Sequence, residues 1–264
     1  MSAIIPTRDR VTMVQRALAS VVTQTQPVEE IIVVDDGSQD DTARLLARIF
    51  PEIHLLRLCG AGCGPARNTG AAAASGDILM FLDSDDFWLP HHVERLQRAL
   101  DRGHALAYGT TLTFDLLAGG SFLVPDTGAG IEGDCAAALS SWCFLLPSAF
   151  AVRRELFAAA GGFSDLPLAE DWDLFCRLAH RNSFGFCGPE PITVRHLHAG
   201  SACGRVNRAC IADAMQALAD RQCHGKEGDR SSHFHRLAEW TAGCGREFST
   251  VQQWYLTLRA EGML

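Results

Sequence analysis

Carboxylates cluster at two points of the sequence where an apolar run ends. Ile31–Val34 leads directly into Asp35 and Asp36, and Ile78–Leu82 leads into Asp83–Asp86, which contains three more acids. Like charges repel, so neither group can follow its run into an apolar interior. We therefore expect the three carboxylates of the second group to project from one loop into solvent. Carboxylate oxygens of this kind suit Mg²⁺ or Mn²⁺, whose shell would be completed by waters and phosphate oxygens.

Two other interpretations of Asp83–Asp86 compete with a metal site. Turns and helix caps favour Asp, so the acids could simply form a turn before Pro90. An Asp-x-Asp at a strand end is also typical of phosphatases that form an aspartyl-phosphate. Those enzymes hold the phosphoryl group with a lysine, whereas the only lysine in this sequence is Lys226, far along the chain. Three acids at the end of a buried strand favour the metal interpretation.

The segments around these acids alternate between strand and helix over the first hundred residues. Apolar residues of Val11–Thr23 recur at helical spacing, and Pro65 and Pro90 each stand at the start of a further helical pattern. Strands that alternate with crossover helices form a mostly parallel central sheet with helices on both faces. Ligands of such sheets bind outside the carboxyl ends of the strands. The two groups of acids should therefore meet at one edge.

Some local boundaries can also be predicted. Thr42 or Asp41 is a plausible cap for the helix "DTARLLARIF", and a later helix is expected from about Asp171 to Arg181. The stretch Leu117–Gly133 is rich in Gly and contains a proline, which predicts a flexible loop. Two helical patterns are predicted in the last part of the chain.

Composition and charge limit the class of protein. The chain has 264 residues, 47% hydrophobic and 20% charged, which is ordinary for a globular protein. A net charge of −8 argues against nucleic acid or an anionic membrane as the main partner. No apolar run approaches the roughly 18 residues of a membrane span, and the first residues lack a signal peptide's apolar core. We expect a cytoplasmic protein that is peripheral to a membrane only through a bound ligand.

Ten cysteines without a secretory signal predict thiols rather than disulfides. Cys59 and Cys63 form the closest pair, but no second close pair completes a tetrahedral set, which disfavours a structural zinc.

Five blocks together resemble family 2 glycosyltransferases, which have the GT-A fold. They are "IIPTRDR", "QTQPVEEIIVVDDGSQDDT", "GPARNTG", "GDILMFLDSDD" and "GGFSDLPLAEDWDL", and they stand in the family's order and spacing over roughly residues 1–200. The resemblance implies an enzyme that binds a nucleotide-diphosphate sugar and transfers the sugar to an acceptor hydroxyl. The membrane-bound processive members carry Gln-x-x-Arg-Trp, whereas this chain has "QQWY" near its end and no membrane helix pattern.

The resemblance assigns six residues to nucleotide binding, Asp83 among them. Asp36 would accept a hydrogen bond from the imide N3–H of uracil, although the ring N–H of guanine leaves a GDP sugar open. Pro6, Thr7 and Arg8 would line the same pocket, and Arg8 stands where family members often have an aromatic residue. Arg67 would lie beside the nucleotide, facing either phosphate or the acidic cluster.

The remaining assignments concern the metal and the base. The resemblance implies that Asp83 lies near the ribose and that Asp85 binds a divalent cation, Mn²⁺ or Mg²⁺. Asp171 would be the base for the acceptor hydroxyl, although a plain helix cap explains an acid there as well, and a helix dipole would lower its pKa. Glu170 would contact the acceptor or the sugar, and His198 the diphosphate or the metal.

The sequence therefore predicts a GT-A domain over residues 1–205 and a C-terminal helical extension over 206–264. Within the domain, residues 1–103 would form the nucleotide-binding half and 104–205 the acceptor-binding half. The predicted activity is a metal-dependent, inverting transfer from a UDP sugar to an unidentified acceptor. The alternative is a non-catalytic module that keeps the nucleotide pocket. The sequence predicts no oligomeric state.

Overall fold

Strands and helices alternate along the first half of the chain, as the sequence pattern predicts. The computed structural model describes residues 1–126, 130–166, 168–201 and 208–222. The elements of the first half are β1 (Ser2–Thr7), α1 (Val11–Val22), β2 (Glu30–Asp35), α2 (Thr42–Ile49), β3 (His54–Arg57), α3 (Cys63–Ala73), β4 (Ile78–Phe81), β5 (Phe87–Trp88) and α4 (His92–Asp101).

The second half begins with a long strand and ends with two longer helices separated by another long strand. Its elements are β6 (Leu106–Asp115), β7 (Ser121–Val124), α5 (Ala136–Leu139), β8 (Phe150–Arg153), α6 (Arg154–Ala159), α7 (Glu170–Ala179), β9 (Phe184–Leu197) and α8 (Arg208–Gln222). A short 3₁₀ turn, Pro147–Ala149, precedes β8.

The strands of the described residues form one sheet in the order β3-β2-β1-β4-β8-β6-β9-β5, with β7 paired to β6. The strands β3, β2, β1 and β4 are parallel, and β6 is parallel to β9. β8 runs antiparallel to β4 and β6, and β5 runs antiparallel to β9. The predicted sheet is confirmed, and the antiparallel neighbours enter where the sequence alternation loosens.

Helices cover both faces of the sheet because its central strands are apolar on both sides. Ile4 and Val34 point to one face, where α3 and α7 pack, and Ile5 and Val33 point to the other, where α1 and α4 pack. All four residues are fully buried. This is the pattern expected of strands covered by crossover helices. The carboxyl ends of β1, β2 and β4 are left at one uncovered edge.

Two local predictions need correction, and a third is confirmed in part. The helix expected to open at Pro90 begins at His92. The stretch Leu117–Gly133 contains β7, which pairs with β6 as a hairpin, because its alternating Ser121–Val124 side chains fit a sheet edge. Asp41 occupies the N-cap position of α2, as predicted, but its side chain makes no capping hydrogen bond. The carboxylate of Asp40 accepts the Thr42 N–H instead, at 2.9 Å.

The described part of the tail joins the main core. In α8, Ile211, Met215 and Leu218 are buried in the same cluster as residues of α7. The second predicted tail helix lies outside the described residues, and the division at residues 103 and 205 stays a prediction. None of the helices that the structure describes is long and apolar enough to cross a bilayer. Free thiols are present at Cys59, Cys63, Cys135, Cys143, Cys176 and Cys187.

We predict that Gly70→Ala destabilises the protein, because α3 packs on the sheet through this glycine. A Cβ at Gly70 would lie 2.5 Å from Cγ2 of Ile4 and 3.2 Å from Cγ2 of Val34. Overpacking a core costs about 1–3 kcal/mol, and the gain in helix propensity offsets about 1 kcal/mol of it. Urea unfolding should show a net loss of stability. Ala72→Ser, on the exposed side of α3, should stay within about 0.5 kcal/mol of wild type. A Gly70→Ala protein as stable as wild type would contradict this packing.

Candidate active site

The uncovered edge of the sheet opens into one large cleft of about 1090 Å³. Its walls are the loops that follow β1, β2, β4 and β9, together with the N-termini of α3 and α7. All ten residues that the sequence assigns to a site line this cleft: Pro6, Thr7, Arg8, Asp36, Arg67, Asp83, Asp85, Glu170, Asp171 and His198. The fold therefore brings the predicted site together, and the roles of its members depend on their individual contacts.

Asp36 faces the glycine-rich loop that precedes α3. Its Oδ1 accepts the N–H groups of Gly60 and Ala61 at 3.1 and 2.7 Å, and its Oδ2 accepts that of Gly62 at 2.8 Å. Gly62 has a φ of 100°, which a residue with a side chain rarely adopts. A carboxylate oxygen has two lone pairs, so Oδ2 retains capacity for one more donor. Recognition of a base by Asp36 stays a prediction.

Asp35 supports the loop that follows β2. It is fully buried, and its Oδ1 accepts the Ser38 N–H at 3.0 Å while its Oδ2 pairs with Arg57 Nε at 3.1 Å. The Ser38 hydroxyl in turn accepts the N–H of Asp9 in the loop after β1. Asp35 thus fixes the first two loops of the cleft to each other.

The loop Asp83–Asp86 does not project all its carboxylates into solvent, which corrects the sequence expectation. Asp86 is only 3% exposed, and its Oδ2 accepts the hydroxyl of Ser148 at 2.7 Å. The same hydroxyl oxygen accepts the Asp83 N–H at 3.1 Å. Burial, together with the negative charges of Asp85 and Asp83, raises the pKa of Asp86 well above its ordinary value. Asp86 therefore stabilises the loop through its buried hydrogen bond with Ser148. Asp83 and Asp85 line the cleft.

Asp85 lies between an arginine and a histidine. Its Oδ2 is 2.8 Å from Nη1 of Arg10 and 3.2 Å from Nε2 of His198. Among the described residues, no group of three or more His, Cys, Asp or Glu side chains is arranged to hold a metal ion. Mg²⁺ and Mn²⁺ often take only one or two protein ligands and fill the rest of their shell with water and phosphate. Asp85 and His198 match this requirement for two protein ligands, although Arg10 occupies one side of the Asp85 carboxylate.

Arg67 faces the acidic cluster, which was one of the two predicted alternatives. It is 3% exposed, and its guanidinium bonds Asp83 Oδ1 at 2.5 Å and Glu170 Oε1 at 2.8 Å. The guanidinium carbon also lies 4.9 Å from the ring centre of Phe163. Glu170 is therefore held by an ion pair within the protein. Because Asp83 follows β4 and Glu170 begins α7, Arg67 connects the two halves of the cleft.

Asp171 stands in the first turn of α7, and the residue that precedes this helix has an unusual backbone conformation. The residue before the helix, Ala169, has a φ of 63°, the left-handed region that few non-glycine residues adopt. Oδ1 of Asp171 accepts the N–H of Trp172 at 2.7 Å, and the Trp172 indole N–H donates to the carbonyl of Leu139. Burial and the neighbouring charge of Glu170 raise the pKa of Asp171 to about 7, against the lowering effect of Arg67. Burial is the largest of these effects on the pKa of Asp171.

Two residues of the site were not predicted. Arg10 lines the cleft two positions after Arg8, so its place on the same loop is a signal that could have identified it. Ser148 lies in the turn before β8, where no motif stands, and it reaches the loop Asp83–Asp86 only through the fold.

A family comparison matches part of this chain. The model of "Glycosyl transferase family 2" matches residues 2–121. An uncharacterized glycosyltransferase of Nostoc sp. (strain PCC 7120) is 30% identical over 167 residues, 59% of this chain and 51% of that protein. The succinoglycan biosynthesis protein ExoW of Rhizobium meliloti (strain 1021) is 31% identical over 189 residues, 62% of this chain and 58% of that protein. The matched regions thus span between half and three fifths of these two relatives' lengths.

Solved structures share the fold over most of the chain. The structure of S. aureus TarS residues 1–349 in complex with UDP-GlcNAc has a TM-score of 0.70 at 18% identity, over 91% of this chain and 71% of that one. The mannosyltransferase PcManGT from Pyrobaculum calidifontis, in complex with GDP-Man and Mn²⁺, has a TM-score of 0.61 at 18% identity, over 92% of this chain and 70% of that one. The fold is the predicted GT-A fold, and residues 2–121 of the chain are similar to glycosyl transferase family 2.

Proposed function

We propose that the protein is a metal-dependent, inverting glycosyltransferase that moves a sugar from a nucleotide-diphosphate donor, UDP by preference, to an acceptor hydroxyl. The proposal rests on the pKa and position of the Asp171 carboxyl group. This group has a pKa of about 7 and lines the same cleft as the acids at the ends of β2 and β4. A base that titrates near neutral pH can take a proton from a hydroxyl at physiological pH.

The donor would lie across the carboxyl ends of β1, β2 and β4. Asp36 would contact the base, with Pro6, Thr7 and Arg8 along the same wall, and Asp83 would contact the ribose. Support comes from their shared cleft and from the nucleotide sugars in the structural relatives, UDP-GlcNAc in TarS and GDP-Man in PcManGT. The acceptor side would be formed by the second half of the chain, whose loops carry no motif that identifies the acceptor.

Asp85 and His198 would hold a divalent cation beside the donor's diphosphate. When bound, such a cation offsets the negative charge that the leaving nucleotide diphosphate gains. The cleft also needs this neutralisation because its own carboxylates would otherwise repel an anionic donor. The Mn²⁺ in the complex of PcManGT supports this assignment.

Asp171 would accept the proton as the acceptor oxygen attacks the anomeric carbon. With the diphosphate leaving from the opposite face, one displacement inverts the anomeric configuration. Oδ1 of Asp171 is held by the Trp172 N–H, which fixes the carboxyl relative to α7. A non-catalytic module would bind the donor equally well and would have no use for a base at this place.

We predict that Asp171→Asn lowers turnover at least about 100-fold and leaves donor binding within about threefold of wild type, since general base catalysis contributes 10²–10⁴-fold. Asn keeps the oxygen that accepts the Trp172 N–H, so the helix start should be preserved. The measurement is release of UDP from UDP-glucose, UDP-galactose and UDP-GlcNAc, and of GDP from GDP-mannose, with Mn²⁺ present.

Asp77→Asn is the matched control for this prediction, because its carboxylate is 95% exposed and Asp77 does not line the cleft. It should turn over at the wild-type rate. Wild-type turnover no greater than that of Asp171→Asn would favour the binding module instead.

The raised pKa of Asp171 predicts an acidic limb in the pH profile. The base acts only when deprotonated, so kcat/KM should fall as the pH drops through about 7 and be roughly tenfold below its plateau one pH unit lower. Glu170→Gln removes the negative charge that helps to raise this pKa and leaves Arg67 beside Asp171, so its acidic limb should move to lower pH. An acidic limb that stays in place in Glu170→Gln would contradict the assignment of the titrating group.

We predict that Asp85→Ala abolishes the effect of Mn²⁺ on nucleotide binding. Calorimetry with UDP should give wild type an affinity at least about tenfold higher with Mn²⁺ than without it, because the carboxylate links the cation to the protein. The Asp85→Ala protein should bind UDP equally with and without Mn²⁺, while Asp77→Asn should behave as wild type. Undiminished Mn²⁺ enhancement in Asp85→Ala would remove Asp85 from the metal site.

A further inference from the structure

Arg10 joins three segments of the chain at one end of the cleft. Its Nη1 lies 2.8 Å from Oδ2 of Asp85 and 3.4 Å from the hydroxyl of Ser84. Its Nη2 donates to the carbonyl of Gly200 at 3.0 Å. The side chain is 25% exposed, so it is fixed by these bonds and still open to the cleft. Arg10 therefore connects the loop after β1, the loop after β4 and the segment after β9.

His198 closes this set of contacts from the other side. Its Nδ1 accepts the N–H of Gly200 at 3.0 Å, so Nδ1 carries no proton and Nε2 must carry one. Nε2 consequently donates to Oδ2 of Asp85, at 3.2 Å. Gly200 is thus held twice, through its N–H by His198 and through its carbonyl by Arg10. The four residues form a closed ring of hydrogen bonds around one carboxylate oxygen.

This ring is incompatible with a divalent cation on the same oxygen. A guanidinium cannot lose its charge in a protein, and a second, doubly charged cation within a few ångströms of it would be strongly repelled. His198 in this tautomer presents a proton, not a lone pair, toward Asp85. A cation that takes Oδ2 of Asp85 and Nε2 of His198 as ligands can bind only if Arg10 moves away and the hydrogen bond from the Gly200 N–H to His198 Nδ1 breaks.

We propose that Arg10 is the counter-cation of Asp85 and competes directly with a divalent cation for that carboxylate. The inference rests on the metal role given to Asp85 in the proposed function. It adds a residue that the family resemblance does not assign, and it links cation entry to release of the segment His198–Ser201. Binding of a cation at Asp85 then requires the ion pair between Arg10 and Asp85 to break.

The test is a titration of the full-length protein with Mn²⁺ alone, without nucleotide, followed by the electron paramagnetic resonance signal of free Mn²⁺. Arg10→Gln should bind Mn²⁺ about tenfold more tightly than wild type, because a charge-assisted hydrogen bond to Asp85 no longer has to break. Arg10→Lys keeps the positive charge and should remain near wild type. Arg44→Gln changes the net charge equally at an exposed pair on α2 and should also match wild type.

Two outcomes of the titration would overturn the proposal. One is equal Mn²⁺ affinity in wild type and Arg10→Gln, and the other is no Mn²⁺ binding by either protein. If Arg10→Gln does not fold, wild type still decides the question. Added Mn²⁺ should speed hydrogen exchange at the amide of Gly200, and unchanged or slower exchange would count against the ring being opened.

The result is separable from that of the proposed function because the titration needs no turnover. A protein that transfers sugar, but whose Mn²⁺ affinity is the same with and without Arg10, would refute only the competition. A protein without turnover whose Arg10→Gln variant binds Mn²⁺ more tightly would refute only the proposed function.

Discussion

The buried guanidinium of Arg67 holds together an edge that would otherwise repel itself. Parallel strands that end at one edge bring their following loops together, and in this protein those loops are acidic. Arg67 is almost inaccessible to solvent and is bonded to Asp83 on one side and Glu170 on the other. Removing one partner of such a buried pair leaves an uncompensated charge, which is strongly destabilising. The position of α7 relative to the loop after β4 depends on this one side chain.

The other carboxylates of the cleft are each compensated in a different way. Asp36 accepts three backbone N–H groups, Asp86 is bonded to Ser148, and Asp85 is paired with Arg10. Among the described residues, the N–H of Trp172 and the more distant charge of Arg67 offset part of the effect of burial on Asp171. Its pKa is accordingly raised to about 7. A carboxyl group that titrates near neutral pH and lines the cleft is suited to move a proton.

The sequence predicts the parts of this site that local pattern determines, and not the parts that depend on long-range packing. The alternation of strand and helix and the acids at strand ends are properties of neighbouring residues, so the ten predicted residues lie in one cleft. Ser148 is more than sixty positions from Asp86, and only the pairing of β8 with β4 brings it there. The hairpin of β6 and β7 was missed because its glycines and proline resemble those of a loop. The partners of Asp36 were not predicted because they are backbone N–H groups, and side-chain identity does not show which backbone groups donate a hydrogen bond.

Steric packing, as well as charge, determines how far the proposed base lies from the donor loops. Phe81 ends β4 just before Asp83, and Phe163 precedes the loop that leads to Asp171. Their rings meet edge to face with centroids 5.1 Å apart, and Phe157 of α6 packs against both, at 5.4 and 5.6 Å. The rings of such an aromatic cluster are close-packed, so the distances between their centroids cannot decrease without steric overlap. Arg67 lies over the Phe163 ring, so the ion pairs that join the two halves rest on a rigid apolar base. A displacement reaction requires its reacting groups to be held within a few tenths of an ångström of their productive positions. The aromatic cluster makes the cleft rigid in this way on the side away from solvent.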